Sequence, residues 1–118
     1  FILALIYAVV GMALGLHMSI SQDHGQMPTH AHTMVAGWLM SVVFAFFYHL
    51  FPAVARGRLA TIHFWLTAVS GAVLLVSLFF LLAGNSSIEP LLAAASLAFY
   101  AAMFLFVVVA LPVVRTNA

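Results

Sequence analysis

Residues 32–51 read HTMVAGWLMSVVFAFFYHLF, twenty positions without one Asp, Glu, Lys or Arg. At 1.5 Å per residue, a helix of that length is about 30 Å long, the thickness of a bilayer's hydrocarbon core. Three more runs of this kind flank it, at about 1–20, 60–83 and 90–113. Four spans account for nearly all of the 118 residues and leave no length for a soluble domain. The expected architecture is therefore all-α, a single integral membrane four-helix bundle over residues 1–118. The first run is read as a retained span. It is long for the apolar core of a signal peptide, and Ser19-Ile20-Ser21-Gln22 is not a small-x-small cleavage site.

Composition agrees. Charged residues make up 4% of the chain and hydrophobic residues 67%, whereas a soluble domain carries about 25% charged residues. With three Lys or Arg in total there is no basic surface for nucleic acid. Membrane lipid is the expected surrounding. No cysteine is present, which excludes disulfides, thiolate-ligated heme and iron–sulfur clusters.

The few charges set an orientation. Arg56 and Arg58 lie between spans 2 and 3, and Arg115 follows span 4. Four spans bring both termini and the 2–3 connection to one side, so all three arginines share that side. The positive-inside rule makes it cytoplasmic. Asp23 and Glu89 fall in the two opposite loops. A bacterial inner membrane is the expected location, with the first loop facing the periplasm. Punctuation supports these limits: Pro28 precedes span 2, Pro52 ends it, Gly84-Asn85-Ser86-Ser87 is a turn, Pro90 opens span 4 and Pro112 closes it.

Against this apolar background stand six histidines, all at or beside span ends. An ionisable residue near hydrocarbon is a functional candidate by default. His24, His30 and His32 fall within nine residues. Neutral imidazole is a ligand for heme iron, copper and zinc. About each loop, residues equidistant from its centre share a depth. An outer layer then holds His17, His24, His30 and His32, and an inner layer holds His49 and His63. About 25 Å of helix separates the layers, so one cofactor does not bridge them. In a helix His30 and His32 point about 200° apart. His30 is expected in the opening turn of span 2 and His32 within it.

Smaller signals surround the histidines. Ala36 and Gly37 serve either to admit a flat macrocycle or to pack helices. His63, Thr67, Ser70 and Ser77 form one polar stripe on span 3, expected to face a bundle interior or an oligomer interface. Gly11-x-x-x-Gly15 on span 1 is a close-contact pattern. Met18, Met27 and Met34 are either apolar filling or soft copper ligands. Trp38, Tyr48, Trp65 and Tyr100 suit a porphyrin pocket or an interfacial belt.

The segment Pro28-Thr29-His30-Ala31-His32-Thr33-Met34-Val35-Ala36-Gly37-Trp38, with Tyr48-His49-Leu50-Phe51-Pro52 after it, resembles the second helix of subunit I in the heme-copper oxidase superfamily. Its nitric oxide reductase and cbb-type branches look most similar. Arg58-Leu59-Ala60-Thr61-Ile62-His63-Phe64-Trp65-Leu66 is similar to a late helix of the same subunits. The resemblance covers about half the chain. It implies that His32 is an axial ligand of a b-type heme. It does not extend to complete oxidase activity, because the helices that would hold a second heme and copper have no counterpart here. Subunit I is built of arcs of four helices, so the resemblance also suggests a homotrimer or other small ring of this chain.

The expected function is heme b binding, with electron transfer or redox and gas sensing as its role and a redox partner implied. His32 is the expected first axial ligand and His17 the second. His63 is either a further cofactor ligand with His49 or a structural residue. His24 and His30 are left for a second metal, copper first, or for hydrogen bonds to heme propionates. The competing expectation is a copper- or zinc-handling membrane protein without heme. A third is a scaffold whose histidines only pack.

Overall fold

The computed structural model describes residues 1–117. Among them the chain is helical throughout, with no strand. Four helices are long and apolar enough to cross a membrane: Ile2–Ser21, Met27–Leu50, Arg58–Leu82 and Ser86–Thr116. The first is α1. The second comprises α2 (Met27–His32), a π-helical stretch (Thr33–Leu39) and α3 (Met40–Leu50). A short α4 (Pro52–Ala55) leads to α5 (Arg58–Leu82), and a 3₁₀ turn (Ser86–Ile88) leads to α6 (Glu89–Asn117). The long dimension of the molecule is 50 Å, against about 40–45 Å for a bilayer with its headgroups.

Burial is arranged for hydrocarbon outside. Ile2, Val9, Ile20 and Leu97 are among many exposed large apolar residues, whereas Thr29, Thr33, His63, Thr67, Ser70 and Ser77 are buried. In water this distribution would be costly. In lipid it is favourable, because hydroxyls find partners only inside the bundle. The stripe read on span 3 is thus interior within the single chain. Leu74, Leu75 and Ala95 form a small apolar core, with Tyr7, Val73, Leu92 and Phe99 packed on it.

Two antiparallel helix pairs make up the bundle. α5 packs along α6, and α1 packs along the π-helical stretch. Small residues let α1 and the second span interlock. A Cβ at Gly11 would lie 2.6 Å from Met34 Sδ, and one at Gly15 would lie 2.8 Å from His30 Cε1. Reciprocally, a Cβ at Gly37 would lie 2.8 Å from Tyr7 Cγ. Tyr7 also reaches the other pair, with its hydroxyl 3.6 Å from where a Gly71 Cβ would stand. Phe44 and Phe47 of α3 close the second junction on Phe106 of α6, with ring centroids 4.6 and 5.0 Å apart.

Two boundaries and one internal stretch differ from the sequence reading. The second span begins at Met27, five residues before His32. Pro28 sits in its first turn, where the missing N–H has no intrahelical acceptor to serve. His30 and His32 are therefore both helical. The last helix runs through Pro112 to Asn117, since proline inside a helix bends it without always ending it. The seven-residue π-helical stretch has no counterpart in the sequence reading. Pro52 does separate α3 from α4, with Phe51 between them at φ −121°. Gly84, at φ +102°, makes the turn after α5 that few other residues allow.

Candidate functional site

The histidine-rich end is built by the first loop and the start of the second span. Asp23 caps the turn by accepting the Gly25 N–H at 2.9 Å. Gln26 ties the loop to the far helix pair by donating to the Phe79 carbonyl at 3.1 Å, and accepts the Thr29 hydroxyl at 2.7 Å. Thr33 donates to the Thr29 carbonyl at 2.7 Å. These contacts seat α2 firmly under its loop.

His32 is exposed. Its Nδ1 lies 2.8 Å from the Pro28 carbonyl. A carbonyl only accepts, so Nδ1 carries the proton and Nε2 keeps its lone pair. That is the arrangement of a ligating imidazole whose other nitrogen is held by a backbone oxygen. Beside the ring lies a groove of about 270 Å³ lined by Ala31, His32, Val35 and Ala36. Of the two small residues read from the sequence, Ala36 lines this groove and Gly37 packs helices by receiving Tyr7.

His30 faces the other way. Its Nδ1 lies 2.8 Å from the Gly11 carbonyl of α1, and its ring rests on Gly15. The Gly11-x-x-x-Gly15 pattern is a seat for His30 and Met34 as much as a helix contact. His32, about 200° further around the helix, points away from α1. His24 is exposed in the loop, with Nδ1 3.2 Å from the Gln22 carbonyl. Met18 is buried and the Met34 sulfur packs on Gly11, so both act as apolar filling.

His17 is exposed on α1. The contacts Gly15–His30, Gly11–Met34 and Tyr7–Gly37 fix the register of the two helices. In that register His17 comes level with Pro28, four residues short of His32, or about 6 Å along the axis. The common depth expected of His17 and His32 is thus offset by one turn, because the helix starts earlier than the loop symmetry assumed. Among the described residues no three His, Asp or Glu side chains converge to hold a metal ion.

At the opposite end His49 is exposed, whereas His63 is 1% exposed. Tyr48 places its hydroxyl 3.0 Å from His63 Nδ1. Phe44 stands edge-on to the His63 ring at 4.6 Å and Phe106 lies at 5.3 Å. The ring is buried and packed against Phe44 and Phe106. The Tyr48 contact brings His49 level with His63, as the loop symmetry expected, but only His63 points inward. The sequence reading missed Tyr7. Its signal was weak: one aromatic hydroxyl in the middle of an apolar run.

No family model, curated protein or solved structure matches this chain.

Proposed function

We propose that this chain binds b-type heme through His32 in a membrane and serves in electron transfer or in redox and gas sensing. The observation that carries the reading is the state of His32: outward-facing, with Nδ1 committed to the Pro28 carbonyl and Nε2 free beside the groove over Ala31, Val35 and Ala36. Small side chains there let a flat ring approach the helix closely. Heme bound at this point would supply an iron that exchanges one electron or takes a gas molecule, according to whether its sixth position is filled.

The chain's own residues divide the remaining work. Pro28 holds the ring angle and tautomer of His32. Val35, about one turn below, excludes water from one side. His32 points away from α1, so His17 of the same chain does not face it. His17 of a neighbouring copy, one turn off in depth, would then be the second residue to hold the group, which makes a homo-oligomer part of the reading. The resemblance to the heme-copper oxidases favours a trimer. His24, exposed in the loop, suits a second metal or a heme propionate. The side carrying Arg56, Arg58 and Arg115 is assigned to the cytoplasm of a bacterial inner membrane.

The absorption spectrum of the purified protein tests the reading. A Soret band that moves on reduction and is lost in His32→Ala is expected. No Soret band, with stoichiometric copper or zinc by elemental analysis, would replace heme with the metal-handling alternative. Full heme content in His32→Ala would overturn the ligand assignment.

A further inference from the structure

α1, α5 and the start of the second span leave a cleft of about 370 Å³ between them. One wall is α1 from Ile6 to Leu14, and the other is α5 from Ala72 to Phe80. Each stretch rises through eight residues, so the cleft is about 12 Å long and runs along both helices. Its floor is Thr29, Thr33 and Leu75, all buried. Its rim is Ile6, Val10, Ala72 and Val76, all exposed. Tyr7 stands at the mid-bundle end, and the bond from Gln26 to the Phe79 carbonyl ties the second span to α5 at the end beside the first loop. The exposed rim therefore opens the cleft sideways, to the hydrocarbon.

The lining selects for an apolar occupant. The Thr29 hydroxyl donates to Gln26 and the Thr33 hydroxyl to the Thr29 carbonyl, so neither has a proton left to offer. Tyr7 presents its ring, since its hydroxyl is buried beside Gly71. Size narrows the choice further. A helix segment about 10 Å wide and 12 Å long fills about 900 Å³, so no helix of a second copy or of a partner protein enters the cleft. A hydrocarbon chain is one carbon wide and needs no polar partner. Within the cleft it touches α1, α5 and the second span at once, whereas on the convex outer face of a helix it touches one element. Dispersion attraction accumulates over such contacts, so a chain is held here more firmly than elsewhere on the lipid-facing surface.

We propose that the cleft between α1 and α5 is a binding site for one acyl chain of a phospholipid, from the leaflet at the first-loop end. The chain packs between the two helix pairs, and its headgroup lies beside the first loop. This site is separate from the groove at His32 and does not depend on the heme reading.

Native mass spectrometry of the protein extracted from its membrane in mild detergent tests the proposal. As collisional activation rises, loosely held lipids should leave and one phospholipid per chain should remain. Val10→Phe and Ala72→Phe fill the cleft from opposite walls, and each should lower that retained species several-fold. Leu97→Phe, on the exposed surface of α6 away from the cleft, should leave it unchanged. Circular dichroism melts identify the variants that fold, and two walls keep the test standing if one variant does not. Absence of a retained phospholipid, or equal retention in the cleft variants and in Leu97→Phe, would overturn the site. So would a retained isoprenoid in its place, or a change of oligomer size in the cleft variants with no change in lipid, which would give the cleft to a side chain of a second copy.

Discussion

The His30 ring lies so close to Gly15 that a methyl group there would stand 2.8 Å from its Cε1 and 3.1 Å from Nδ1. This contact joins a glycine pattern on one span to a histidine on the next. It also explains why His30 is committed to packing against α1 while its near neighbour His32 stays exposed on the opposite side of the helix.

Gly15→Ala should therefore expel His30 from its seat and break its 2.8 Å bond to the Gly11 carbonyl. Overpacking of this kind costs about 1–3 kcal/mol. Thermal unfolding followed by circular dichroism in detergent should show a lower midpoint. Gly15→Ala combined with His30→Ala should recover part of the loss, because the clash disappears with the ring.

Gly37→Ala is expected to be at least as damaging. The added methyl would meet Tyr7 at Cγ, Cδ1 and Cβ, at 2.8, 3.0 and 3.1 Å. These atoms are near the backbone and have little freedom to move. A destabilisation of about 2–3 kcal/mol is expected, measured by the same unfolding experiment. An unaltered midpoint would contradict the packing of Tyr7 at the centre of the bundle.

The outer histidines should separate by role in the heme reading. His17→Ala should turn the heme from low-spin toward high-spin, as seen by electron paramagnetic resonance of the oxidised protein. His24→Ala should leave the spin state nearly intact. The proposed pairing of His17 and His32 from different copies makes a further demand: mixing His17→Ala and His32→Ala chains in one oligomer should restore part of the low-spin signal.

Orientation is open to chemical labelling. A cysteine introduced at Asn85 should react with a membrane-impermeant maleimide added outside, and one at Gly57 should not. The reverse pattern would invert the assignment made from the arginines.

Tyr48→Phe should remove the 3.0 Å contact to His63 Nδ1 and leave a second nitrogen of that ring without a protein partner. The expected cost is about 1–3 kcal/mol. Chemical denaturation in mixed micelles would measure it, with His63→Leu as the companion variant. Replacing the ring by an apolar side chain should cost less than stranding it, since a buried polar group without a partner is worse than none.

The sequence by itself determined the four helices, because an unbroken apolar run of about 20 residues has no other low-energy state in lipid. It also determined that His63, Thr67 and Ser70 share one face, since helical periodicity is local. It marked Gly11 and Gly15 as a contact and His30 and His32 as opposed in direction. The tertiary structure alone decided what each face meets. Whether Gly15 receives a backbone or the His30 ring depends on the register between two helices, and the loop symmetry misjudged that register by a turn. Whether the α5 stripe faces an oligomer or the chain's own interior depends on how the two helix pairs close on Tyr7 and Phe106. Pairwise spacing along one helix carries no information about such choices. They are set by which side chains fill the gaps that glycine leaves in a neighbour.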